Sequence, residues 1–346
     1  MGWLSNLWRK VSAGSADDLT VVSKLVIPGE TFAGQPIRAD ECYVELYVES
    51  LRLEKARRFA TTFHGVVYAF QTLAREADVV ANIASISKPE KLAQLDGKSL
   101  GKVITVGRKL TGAVPWRGGT LHLELGLFSV KSGNLLSPVL DFVTQVSTTA
   151  GASFIGAVTP FVPLLTKGMD MIAGQVDDVA LEVAFDSDLD LNATETFAII
   201  AKPKGQMDIR KISVDPSDRK LLLDGSALDC GYCVFSIRQT RQKADYGEIP
   251  ELKEKFAALV TAIKSKNQDV AADALTSFRL AALTSPDLIP SDADALIAKA
   301  TDKVTKAFAG AGATRSASRS PSQAGKTVVV DDMAESLADL PLYGAR

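Results

Sequence analysis

Three groups of residues have the types and spacing to do chemistry. The first is Cys230-Gly231-Tyr232-Cys233, a C-x-x-C. In thiol redox proteins the first cysteine of such a motif opens a helix, and the helix dipole lowers its pKa. Here Val234-Phe235-Ser236-Ile237 follows and reads as a strand, so two ordinary strand or turn cysteines are expected. A zinc site needs a second ligand pair, and Cys42, His64 and His122 are scattered.

The second group is Asp186, Asp188, Asp190 and Asn192, at every second position. On a strand these share a face, and their oxygens could gather a hard cation such as calcium. The D-x-D-x-D opening is that of an EF-hand loop. However, Leu191 stands where glycine is required and Phe197 where the bidentate glutamate belongs. A solvated strand face, or a charged edge that blocks sheet aggregation, is the plainer expectation.

The third group is His122 with Glu124. The chain has 2 histidines, and this His/Glu pair suits acid–base work. No G-x-S-x-G, phosphate loop, G-x-G-x-x-G after a strand or H-E-x-x-H accompanies it. The chain therefore reads as no enzyme and as needing no cofactor. A metal-dependent enzyme or binder built on His122/Glu124 or the Asp186–Asp190 row is one alternative.

The elements that must carry these residues are mostly strands. Alternation marks Leu19 to Ile27, Glu41 to Leu53, Phe63 to Leu73, Val79 to Ile86 and Gly101 to Leu110. After the Trp116-Arg117-Gly118-Gly119 turn, Leu121, Leu123, Leu125 and Leu127 share one face of the clearest strand, with His122 and Glu124 opposite. Val179 to Leu191, Thr196 to Ala201, Met207 to Val214, Lys220 to Leu223 and Tyr232 to Arg238 complete the set. In Glu41 to Leu53, Cys42, Val44, Leu46 and Val48 oppose Tyr43, Glu45, Tyr47 and Glu49, predicting a half-buried strand. Lys88 to Leu95 suits a short helix.

From Pro250 the period becomes helical. Leu252, Phe256, Leu259, Val260 and Ile263 form one face; Val270, Ala274, Leu275, Phe278 and Leu283 a second; Leu296, Ile297, Ala300, Val304 and Phe308 a third. The expected fold is α+β: an antiparallel, β-sandwich-like core with an inserted apolar helical hairpin and a C-terminal three-helix subdomain. The expected order is an amphipathic helix over 1–14, the core over 15–240 with the hairpin at 135–176, helices over 248–308, a flexible Gly/Ser/Ala/Arg linker over 309–326 and a docking tail over 327–346.

Apolar residues are concentrated in three further places. From Phe142 to Thr166 no residue is charged. Ser147, Thr148, Thr149, Ser153, Thr159 and Thr166, with Pro160, Pro163 and two glycines, make that run poor material for a permanent membrane span. Trp3, Leu7 and Trp8 share one face of a short N-terminal helix, and Leu337, Leu340, Leu342 and Tyr343 follow the linker. With Phe142, Phe154, Phe161 and Leu165 of the hairpin, these are the binding residues expected. A tail of this kind either docks as a peptide or folds back on its own domain.

The net charge of −2 gives no electrostatic reason to expect nucleic acid. Three cysteines rule out a disulfide framework, and no secretory signal is evident. The expectation is a cytoplasmic, bacterial-type scaffold or adaptor, peripheral to a membrane at most. It would bind another protein or self-associate as an oligomer. A further alternative is a membrane-active effector that inserts the 142–166 run and anchors through Trp3 and Trp8.

Overall fold

The computed structural model describes residues 19–54, 57–58, 61–76, 79–87, 104–131, 179–309 and 336–343. Several expectations lie outside them: the N-terminal Trp3/Leu7/Trp8 face, the 88–95 helix, the 135–176 hairpin with Phe142, Phe154, Phe161 and Leu165, and the linker from 310 onward. The chain divides into two compact units, Met1–Arg241 and Gln242–Arg346. Among the described residues the fold is α+β: antiparallel sheets, then three helices.

Among the described residues of the first unit there are thirteen strands: β1 (Leu19–Val22), β2 (Tyr43–Arg52), β3 (Arg57–Arg58), β4 (Thr61–Glu76), β5 (Val79–Ile86), β6 (Ile104–Pro115), β7 (Thr120–Lys131), β8 (Val179–Asp190), β9 (Glu195–Pro203), β10 (Ile212–Val214), β11 (Leu221–Leu223), β12 (Ser226–Ala227) and β13 (Tyr232–Thr240). One sheet runs β1-β9-β13-β2-β6. A second runs β3-β4-β7-β8, with β5 also paired to β4, and β10-β11-β12 form a small third sheet. The turn from β6 to β7 uses Gly118 (φ 82°) and Gly119 (φ 79°), conformations that a side chain would strain. Asp224 (φ 54°) and Gly225 (φ 80°) close the β11–β12 hairpin, the positive pair that a type I′ turn requires.

The two large sheets share one apolar core. Leu121, Leu123, Leu125 and Leu127 of β7 lie in it with Leu46 and Leu51 of β2 and Phe235 of β13. Phe235 stacks on Phe197 at 5.1 Å between ring centroids and meets Phe185 of β8 at 5.7 Å, which ties the sheets by contacts of ordinary aromatic geometry. A second core covers the other side of β9 and β13. It holds Val22, Leu25, Ile27, Ile200, Leu221, Leu228 and Tyr232, and is closed by the small sheet.

This second layer corrects the half-buried reading of β2. Both of its faces are closed, so Tyr43, Glu45 and Glu49 are buried. Alternation identifies two faces, but it cannot say that the turns at 23–41 and 215–220 will lie over the polar one.

The second unit holds α1 (Pro250–Lys264), α2 (Gln268–Leu283) and α3 (Pro290–Phe308). Proline occupies the first turn of α1 and α3, where its missing N–H costs nothing. Asn267 caps α2 by accepting from the Asp269 and Val270 amides. Phe256 of α1 meets Phe278 of α2 edge-on at 5.6 Å. The α2 face differs from the expected one: Val270 and Leu283 are exposed, and Ala271, Phe278, Ala281 and Ala282 are buried. Alanines and Phe278, rather than the larger aliphatic residues, hold the interior face of α2.

Candidate functional site

The histidine and the aspartate row, far apart in sequence, meet on one strand pair. In the β7–β8 register His122 faces Asp188 and Glu124 faces Asp186. His122 Nδ1 lies 2.9 Å from Asp188 Oδ1, and Nε2 lies 3.5 Å from Asp186 Oδ1 and 3.7 Å from Glu124 Oε1. Asp190 accepts from the Thr120 hydroxyl at 3.2 Å. Glu124 is only 3% exposed and Asp188 side-chain atoms are 73% exposed, so the group grades from core to solvent along the strands. Glu124 and Asp186 are thus more buried than a solvated strand face would be.

The carboxylates turn toward the imidazole itself. Among the described residues no group of three or more His, Cys, Asp or Glu side chains could hold a metal ion. His64 lies farther along β4, paired with Val130.

The C-x-x-C is split by the sheet. Cys233 belongs to the core to which both large sheets contribute, and Cys230 to the second core, which includes residues of the small sheet. All three cysteines are free and buried. Burial pushes the Cys233 thiol up to about 12, and burial raises Cys230 as well. A redox pair needs a depressed pKa and adjacent sulfurs, and this motif has neither.

A second polar constellation in the first unit carries no sequence motif. The β2–β13 register passes from Val234↔Ser50 to Phe235↔Val48, so Glu49 is the extra residue of a β-bulge. A bulge re-aims a side chain out of the regular alternation. Glu49 is fully buried and accepts from the Ser236 hydroxyl, from Arg219 Nη1 and from Arg238 Nη2, the last at 2.5 Å. Arg219 also pairs with Glu30. The Arg238 guanidinium lies between the Phe32 and Tyr47 rings, 3.8 and 4.1 Å from their centroids, in cation–π range. Burial, then the Glu45 carboxylate, pushes the Tyr47 phenol up.

Arg219 reaches this network from a strained backbone, with φ 57°. Asp215 fastens that turn. Its carboxylate accepts from the Ser217 hydroxyl and amide, and its backbone carbonyl accepts from the Arg219 N–H at 2.9 Å. The Ser217 bonds hold the Asp215 carboxyl down at about 2. Two guanidiniums on one buried carboxylate make a closed ion network, whose physical effect is to clamp the 28–36 and 215–220 segments on the sheet.

The tail residues lie in the second unit. Leu337, Leu340 and Leu342 are buried, and Tyr343 is half-buried. Ser336 and Asp339 form a capping box around a single 3-10 turn, Leu337–Asp339. Side chains at i and i+3 of such a turn line up, so Leu337 and Leu340 point to one side while Ala338 and Asp339 stay exposed. Tyr246 donates its hydroxyl to the Leu340 carbonyl. The Tyr343 hydroxyl donates to Asp292 and accepts from the Lys243 N–H at 2.7 Å. The Tyr246 and Tyr343 rings meet edge-on, 6.2 Å between centroids.

Sequence reasoning found the tail and the His122 and Asp186–Asp190 groups, but it missed Glu49, Arg219, Arg238 and Gly247. Alternation places Glu49 on the outer face of its strand, and only the bulge and the covering turns make it an ionic centre.

No helix among the described residues is long and apolar enough to cross a membrane. No protein-family model, curated protein or solved structure matches the chain.

Proposed function

We propose that this chain is a non-enzymatic interaction protein, a scaffold or adaptor that works as an oligomer or complex subunit in the cytoplasm. The observation that carries the reading is the seated tail. A short apolar segment with its own capping box buries three leucines and half-buries a tyrosine against a helical unit, much as apolar anchors seat a peptide in a groove. A sandwich-like packing of the two large sheets would serve as the rigid carrier of that module.

The test is light-scattering mass of the full chain over a range of concentrations, repeated with sedimented liposomes. A mass at twice the chain or above that ignores lipid is the expected result. A monomer at every concentration would overturn self-association. Co-sedimentation with lipid would favour the membrane-active alternative.

A further inference from the structure

We propose that the helical unit is a receptor for the tail motif and that residues 336–343 are a detachable ligand, exchangeable with the tail of a second copy of this chain. The inference rests on the interaction reading above and names the partner.

Three observations converge. First, the segment organises its own conformation. Ser336 accepts from the Ala338 amide and Asp339 accepts from the Ser336 amide, both within the segment. A ligand that carries its own turn loses less entropy on docking.

Second, its contacts outward are those of a bound peptide. Leucines line one side, a carbonyl receives a hydroxyl from Tyr246, and the terminal tyrosine is held between Asp292 and the Lys243 amide. The helices also contact each other directly, through the Phe256–Phe278 pair of α1 and α2, which the tail does not supply.

Third, the groove is fitted to this backbone. A Cβ built on Gly247 would lie 2.7 Å from Ala338 Cα and 2.9 Å from its nitrogen. Only glycine at 247 admits the 3-10 turn this closely. Residues 310–335 separate α3 from the segment, and 310–326 of them have a linker composition. Such a join favours the copy's own tail through effective concentration without adding any contact of its own. The motif of a second copy meets the same groove with the same chemistry.

The experiment is a complementation between two full-length copies. One has a blocked groove and an intact tail (Gly247→Ala). The other has a blocked tail and an intact groove (Leu337→Asp with Leu340→Asp). Circular dichroism reports folding. Light scattering reports mass for each alone and for the equimolar mixture. Fluorescence anisotropy measures a labelled 333–346 peptide on the tail-blocked copy and on the unaltered chain.

The expected result is a 1:1 complex on mixing. The peptide should bind the tail-blocked copy at least about tenfold more tightly than the unaltered chain, whose own tail competes. A peptide with Leu337→Asp should bind at least about tenfold more weakly, since one buried leucine anchor is lost. A folded tail-blocked copy that binds no peptide would overturn the proposal. So would a tail-blocked copy that unfolds, because the segment would then be integral core. The peptide measurement does not involve Gly247, so misfolding of that variant leaves the test intact. Oligomers of the unaltered chain with no peptide exchange would sink this inference and leave the interaction reading standing. Peptide exchange in a chain that stays monomeric at every concentration would sink self-association alone.

Discussion

Gly247 and Ala338 approach so closely that a methyl group on Gly247 would sit 2.7 Å from Ala338 Cα. The neighbour is backbone, which cannot swing aside as a flexible side chain can. Gly247→Ala should therefore displace the 336–343 segment, and overpacking of this kind costs about 1–3 kcal/mol. Urea unfolding of the second unit should report the loss. Chymotryptic cleavage at Tyr343 should accelerate. An unchanged cleavage rate would show that the groove yields instead.

Glu49→Ala removes the one carboxylate that Ser236, Arg219 and Arg238 all reach. Breaking a buried ion group by deleting one partner leaves the others uncompensated, at a cost of about 3–5 kcal/mol. The two arginines retain partial solvent access, at 23% and 19% side-chain exposure, which places the expected loss near the lower figure. Denaturant midpoints measure it, and amide exchange around Arg219 should rise. A loss under about 1 kcal/mol would mean that the guanidiniums resolvate freely.

Alkaline stability should depend on Cys233. Its folded-state thiol is pushed up to about 12 by burial, against an ordinary value of 9.0. The unfolded chain therefore releases this proton first as pH rises. The contribution to stability is complete below about pH 9 and falls between 9 and about 12, by about 1.4 kcal/mol per pH unit for one proton. Cys233→Ala should flatten that slope in urea titrations at pH 8 to 10.5. Thiol reagents should label none of the 3 cysteines in the folded chain at pH 8 and all of them in denaturant.

His122→Ala tests whether the strand-pair cluster does anything beyond local structure. The imidazole is one-third exposed and its 2.9 Å partner, Asp188, is mostly in solvent. Pairs of this kind contribute up to about 1 kcal/mol. A small fall in the unfolding midpoint and an unchanged light-scattering mass are expected. Loss of association would move the functional site to β7 and β8.

Local pattern determined a good deal of this protein. Residue alternation from Thr120 to Val130 placed a strand with leucines on the core side, and the structure has β7 over Thr120–Lys131 with those leucines buried. The helical period after Pro250 located three helices. Proline in the first turns of α1 and α3 and Asn267 ahead of α2 mark starts that are local chemistry. The leucines at 337, 340 and 342 stood out because an apolar motif after a linker composition needs somewhere to be buried.

What only tertiary structure decided is pairing and covering. Strand alternation carries no information about partners, so nothing local says that His122 meets Asp188. Nor does it say that Cys230 and Cys233 fall into different cores. The bulge at Glu49 is a register event between three strands, β6, β2 and β13. Its burial depends on Arg219, brought in from a left-handed turn 170 residues away. Gly247 looks like any loop glycine until Ala338 is laid against it. Long-range contacts of this kind follow from which surfaces pack together, and that depends on the whole chain at once.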